Sequence, residues 1–382
     1  MTEKKKKAPK ERKKPEIKKR TTGAKTSTEN FTFIDTAEEL RNACKHLAEQ
    51  KSFAIDLECE NGLHHYGTYI CLVQISTETE HIIIDTLKFP DRKSFLPLLK
   101  ILEDPKIEKI LHDYSFDLRI LYTQYKSRPQ NVFDTQMACL LLGKEKLGLA
   151  SLLEEYCQIT AEKKFQRYDW TKRPLPQKML DYAIGDTKNL LFIKKKLVQE
   201  LREKKRMAWC NQECKEIEHK KLEYQEQSFY DVKGIRSLDN KQRAILLKLW
   251  QLRDEIAKKH DKPLHYILGT KLMMEMAQNP PKNQGTFKRL PRSNRFLIAN
   301  SKRFLDAIES AKGFEIMVPP KERKRMTKEQ KEEYAKIEEK RNKVAEKLNI
   351  RSYLIASNDQ LLEITLSNKM NCLRVWQKKL LE

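Results

Sequence analysis

No apolar run in this sequence approaches the roughly 20 residues that a bilayer-spanning helix needs, so no membrane partner is expected. The basic N-terminus also lacks the apolar stretch of a secretory signal. Eight cysteines occur without one Cys-x-x-Cys pair. Cys210 and Cys214 share a helix face with His219 a further turn on, but three candidate ligands without a fourth do not make a tetrahedral zinc site. Reduced thiols in a cytoplasmic protein, or a nuclear one if the source is eukaryotic, are the expectation. Glycine is scarce, with 10 in 382 residues. Neither a Walker lysine loop nor a dinucleotide glycine fingerprint is present, which excludes an ATP-driven motor.

Positive charge, by contrast, is abundant. The formal net charge is +23, more than solubility requires, and it points to a polyanionic partner. Part of it is local: residues 1–25 hold twelve Lys or Arg against three Glu, with almost no apolar residues, and read as a disordered basic tail. The remainder still carries +14. With 39% hydrophobic residues the chain can bury real cores, and its length suits two or three domains.

Three acidic clusters stand out. Residues 53–58 alternate, with Phe53, Ile55 and Leu57 set against Ala54, Asp56 and Glu58. In a strand, Asp56 and Glu58 then share one face while the apolar trio enters the core. Two carboxylates so close repel unless a cation lies between them, and Mg²⁺ prefers oxygen ligands. Asp117 follows a short apolar run, Ile107 to Leu111, and sits near the start of a helical pattern. Tyr182 and Asp186 are four apart in a helical stretch and so share a face. Alone, each has a plainer reading: a solvated strand face, a carboxylate favoured at a helix start, a core tyrosine. Together, in this order, they describe an acidic pocket for two divalent ions, the apparatus of in-line phosphodiester cleavage.

The order Asp-x-Glu, Asp, Tyr-x-x-x-Asp resembles the three exonuclease motifs of the DEDD superfamily, in its tyrosine branch. Residues Asp169 to Pro176 resemble the segment before the third motif in ribonuclease D and its nuclear-exosome relatives. Cys71 to Ser76, Ile84 to Leu87, Phe133 to Gln136 and Gly148 to Leu153 are also similar to that family. From Ser237 onward, the helical period of Gln242 to Ala257 followed by Asp261-Lys262-Pro263 resembles the HRDC module, a small helical bundle that binds nucleic acid or partners. A weaker echo recurs between Ile337 and Trp376. The first module departs from its family at Arg289 to Arg295, where a glycine-containing turn is usual.

The resemblance implies an α/β ribonuclease-H-like exonuclease domain with a mixed sheet, followed by all-α HRDC helical bundles. The expected division is a tail at 1–28, the nuclease at 29–208, a helical linker at 209–234, one HRDC at 235–315 and a shorter second one at 316–382. It implies catalysis by Asp56, Glu58, Asp117, Tyr182 and Asp186, the four carboxylates holding two Mg²⁺ or Mn²⁺ ions. Tyr182, a phenol with an ordinary pKa near 10, orients water and does not serve as a base. Substrate contacts are expected at His112, Tyr66, Lys164 and Arg173, with His64, His65, Tyr69, Lys163 and Arg167 near them. Asp134 reads better as a helix N-cap than as a ligand. The implied activity is 3′→5′ exoribonucleolytic release of nucleoside 5′-monophosphates in maturing tRNA or other structured RNA ends. Tandem HRDC modules favour the ribonuclease D type over an exosome-associated enzyme. Alternatives are the same chemistry on DNA and an RNA-binding adaptor.

Overall fold

A computed structural model describes residues 30–160, 165–219, 228–291, 294–319 and 326–382. The basic tail, Lys163, Lys164, Arg292 and Ser293 lie outside the described residues, as do the side chains of Ile217 and His219. The first half of the chain runs β1 (Thr32–Ile34), α1 (Ala37–Ala48), β2 (Ser52–Asn61), β3 (Thr68–Ser76), β4 (His81–Asp85), α2 (Arg92–Glu103), β5 (Glu108–Leu111), α3 (Ser115–Tyr125), β6 (Val132–Asp134), α4 (Thr135–Leu142), α5 (Leu149–Cys157), α6 (Gln177–Lys188), α7 (Leu190–Glu203) and α8 (Met207–His219).

The strands form one mixed sheet in the order β1-β4-β3-β2-β5-β6. β2, β3 and β4 are a meander, while β1 pairs parallel to β4, and β5 and β6 continue parallel from β2. The alternation read at 53–58 holds. Phe53, Ile55 and Leu57 enter one apolar cluster with the buried faces of α1, α2 and α3. Ala54, Ile110 and Phe133, on the other face, pack with α4, α7 and α8. α6 lies across β2, β3 and β4 on this second face, bringing Met179, Ala183 and Ile184 against Leu72 and Ile83. The sheet is thus sandwiched between two helical layers, as α/β domains require.

The second half is helical: α9 (Asn240–His260), α10 (Leu264–Ile267), α11 (Thr270–Gln278), α12 (Gln284–Lys288), α13 (Arg295–Ala299), α14 (Ser301–Ser310), α15 (Lys328–Leu348), α16 (Ser352–Ile355), α17 (Asn358–Ser367) and α18 (Val375–Leu381). α9 and α15 are both 21 residues long. Each opens on a capping box, at Asp239 and Thr327, and ends on a left-handed cap, at Asp261 and Asn349. The same sequence offset separates the starts of α9 and α15, of α10 and α16, and of α11 and α17. The echo seen in the sequence is an internal structural repeat.

The two copies are anchored differently. The α9 bundle has its own core of Leu246, Leu249, Ile256, Met273, Phe287 and Phe304. In contrast, Ala345, Ile355, Leu361, Trp376 and Leu381 join Leu141, Leu197 and Cys210 in a single cluster. Buried Arg206, before α8, donates to Leu141 O and Leu348 O, 2.6 Å each. Trp376 Nε1 donates to Glu213 of α8 at 2.9 Å, and Trp209 stacks on Trp376 at 4.8 Å. Gly143, with φ 78°, touches the end of α15 so closely that a Cβ would lie 2.0 Å from Asn349 O. α8 and residues of α15 to α18 thus share one apolar cluster with the helices that cover this face of the sheet.

Candidate active site

β2 delivers Asp56 and Glu58 to the face that α6 covers, and α6 delivers Asp186 from above. Carboxylate oxygens of these three lie within 4.8 Å of one another, and among the described residues no other group of three potential ligands is this tight. Three acids from two elements meet in a half-buried pocket. Burial pushes Asp56 up to about 7 and Asp186 up to about 8, with the Asp56 charge adding to the Asp186 shift. Glu58 is driven well up by burial first, then by Asp56, Asp186 and Asp117.

Asp117, in the first turn of α3, is 9% exposed. It stands outside the tight triangle, yet burial and the Asp56 charge raise it strongly. Four carboxylates converge, and burial is the largest influence raising each of them. Hard oxygen donors without a counter-charge are the setting that a divalent cation fits.

Tyr182 lies one helical turn before Asp186. Its ring is held by Trp170, stacked at 6.1 Å, and by Phe165, edge-on at 5.6 Å. Its hydroxyl hydrogen-bonds Asp186, and burial followed by the Asp186, Glu58 and Asp56 charges raises its pKa further. The phenol stays neutral, which suits orienting a water and not accepting a proton.

Several residues expected to contact substrate have partners within the protein. Arg173 has all five N–H groups engaged: with Asp85 at 2.7 and 2.6 Å, and with the carbonyls of Trp170, Lys172 and Cys71. It straps the segment before α6 to the sheet and leaves no donor for a phosphate. Tyr66 donates its hydroxyl to Asp254 of α9 at 2.9 Å, and its backbone N–H to Asp261. It docks one bundle on the nuclease. His65 does likewise, its ring spanning Asp261 at 2.6 Å and Thr171 at 2.9 Å, while His64 reaches Arg167 O. His112 is tied to Thr135 Oγ1, and burial pulls it down to about 4, so it is uncharged at neutral pH. Asp134 does cap α4, accepting from Gln136 N at 2.9 Å and Asp113 N at 3.0 Å.

One neighbour escaped the sequence reading. Gln74 pairs with Asp56 across β2 and β3, so the two side chains share a face. It is fully buried and neither of its amide atoms has a partner. A polar residue within the apolar run of β3 was the available signal. Cys210 and Cys214, by contrast, are simply buried thiols.

The sequence matches the 3′-5′ exonuclease family over residues 31–202 and the HRDC domain over residues 242–308. Among known proteins, Protein RRP6-like 2 of Arabidopsis thaliana is 33% identical over 281 residues, covering 69% of this chain and 32% of that protein. Exosome complex component 10 of Homo sapiens is 33% identical over 265 residues, 65% of this chain and 29% of that protein. The chain therefore spans about a third of the length of these relatives. Among solved structures, Escherichia coli RNase D, an exoribonuclease involved in structured RNA processing, has a TM-score of 0.70 at 25% identity, covering 92% of this chain and 96% of that one. The catalytic core of RRP6 from Trypanosoma brucei has a TM-score of 0.65 at 26% identity, covering 75% and 80%.

Proposed function

We propose, from the premise that this chain carries a DEDD-type 3′-5′ exonuclease domain and an HRDC domain in the manner of the ribonuclease D-like superfamily, that it is a metal-dependent 3′→5′ exoribonuclease. The convergence of Asp56, Glu58 and Asp186 within 4.8 Å, beside a neutral tyrosine, carries this reading.

Asp56, Glu58 and Asp186 would hold one divalent ion, and Asp56 with Asp117 a second, Mg²⁺ or Mn²⁺. Such ions, when bound, offset the carboxylate charge, acidify a water and stabilise the oxyanion that leaves. The protein's own part is positioning. Tyr182, fixed by Trp170 and Phe165, directs its hydroxyl at the pocket and orients the attacking water. Arg173 locks the preceding segment to Asp85 and so sets the entry of α6. The products are nucleoside 5′-monophosphates, and structured RNA such as a tRNA precursor is the proposed substrate class. The near full-length likeness to the bacterial RNase D fold supports it. A second reading, an exosome-associated nuclease, is favoured by the names of the sequence relatives.

The test is incubation of the full chain with end-labelled RNA and DNA, with Mg²⁺ or chelator. Asp186→Asn is expected to lower nucleotide release at least about a hundredfold while RNA binding, supplied by the basic surface, survives. Activity above a tenth of wild type, or release unaffected by chelator, overturns the assignment.

A further inference from the structure

The internal repeat contains its own control. Arg253 and Arg341 occupy the same position in α9 and α15, each facing inward, 4% and 5% exposed. In the second copy the guanidinium is well served. Arg341 Nη1 donates to Ala356 O and Asn358 Oδ1, Nη2 to Glu338 Oε1, and Nε to Asn342 Oδ1. The buried Arg206 is likewise engaged at both terminal nitrogens.

In the first copy the repeat offset puts Trp250 where the second has Glu338, and Thr270 where it has Asn358. The arginine stays and these partners are gone. Arg253 Nε is buried without a hydrogen bond. Burial disfavours its charge, and the adjacent Asp254, whose Oδ1 already accepts from Tyr66, offsets part of that cost. The residues that replaced the lost partners line a cavity of about 350 Å³, together with Arg253 and with Tyr66 and Asn61 of the nuclease. This guanidinium, its Nε buried without a partner, opens on a slot that it shares with the Asp254 carboxylate and that borders the basic α9 bundle, and a phosphate supplies oxygens at the spacing of its fork.

We propose that this slot binds a backbone phosphate of the RNA strand upstream of its 3′ end, with Arg253 as the bidentate donor. The position fits. Asn61 ends β2, the strand that carries Glu58, and three residues of strand cover about 10 Å, a span that the first nucleotides upstream of the scissile bond bridge. Trp250 and Tyr66 line the same slot, aromatic side chains of the kind on which a base stacks. The inference rests on the proposed exonuclease reading and specifies where that enzyme grips its substrate.

Single-stranded RNA oligonucleotides carrying one uncharged methylphosphonate at successive positions from the 3′ end test it on the full wild-type chain, before any mutation. One position should raise KM about tenfold or more, as loss of a charge-assisted contact does, with kcat within about twofold. With Arg253→Gln that positional penalty should vanish, and the salt slope of RNA affinity should fall by about 0.7, one phosphate's worth. Arg253→Lys should restore the slope but not the full affinity. A dinucleotide, too short to reach the slot, should be cleaved equally by all three proteins. A flat methylphosphonate profile, or a positional penalty that persists in a folded Arg253→Gln protein, overturns the slot. If wild type leaves the dinucleotide and all RNA intact, the exonuclease reading itself has failed.

Discussion

The nuclease is joined to its two helical bundles by joints of opposite make. The joint to the α9 bundle is polar and small: His65 to Asp261, Tyr66 to Asp254, with one ring reaching the bundle's core. The joint to the α15 bundle is apolar and continuous, with Trp376, Ala345 and Leu381 sharing a cluster with α4, α7 and α8. Two copies of one motif differ, one a separately cored bundle and the other part of the nuclease's own wall. Homology of shape does not fix the role of a bundle; the character of its contact surface does.

Three experiments sharpen or break that contrast. The largest effect is expected at Gly143. Alanine there adds a Cβ 2.0 Å from Asn349 O at φ 78°, and a left-handed non-glycine plus overpacking costs about 2–4 kcal/mol. The nuclease should melt roughly 5–15 °C lower, dragging activity with it. A shift below about 2 °C would mean that the α15 bundle is loosely attached after all.

The next concerns protons. Asp56 and Asp186 have folded pKa values of about 7 and 8, above the ordinary carboxylate range. The folded state therefore holds protons that the unfolded chain releases, and metal-free stability should fall as pH rises from about 4 to about 8. In chelator the nuclease transition should move down between pH 6 and pH 8, by at least about 2–4 °C, and Mn²⁺ should abolish most of that slope. The α9 bundle, with its own core, should not follow. A pH-independent nuclease transition in chelator contradicts the buried-acid picture.

The smallest is Tyr66→Phe. One partly buried hydrogen bond contributes about 0.5–1.5 kcal/mol, so the nuclease transition should hardly move. The bundle's hold on long RNA should weaken, visible as a higher KM at unchanged kcat. Equal loss on a dinucleotide would place Tyr66 in the pocket instead.

Much of this was legible in the sequence. The alternation at 53–58 fixes the face of Asp56 and Glu58, and the four-residue spacing fixes that of Tyr182 and Asp186. Both are local periodicities, and both held. What was not legible was the partner of each side chain. Nothing in Arg173 or Tyr66 as residue types distinguishes a phosphate ligand from a strap to Asp85 or a hook on Asp254, because those partners lie 88 and 188 positions away. The shared core was illegible for the same reason: the apolar faces of α7 and α15 look alike whether they close separate cores or one. An arginine at an inward position of α9 and α15 was readable, but which of the two lacked acceptors was not.

The shared wall also sets a timetable. Arg206 must await Leu348, 142 positions downstream, and Glu213 must await Trp376, 163 positions downstream. At about 5–20 residues translated per second, the layer backing the carboxylates stays unfinished for roughly 7–30 s after its first helices emerge. A fold assembled this way completes its helical layer only once the ribosome has passed residue 376, well after the carboxylate-bearing elements have emerged.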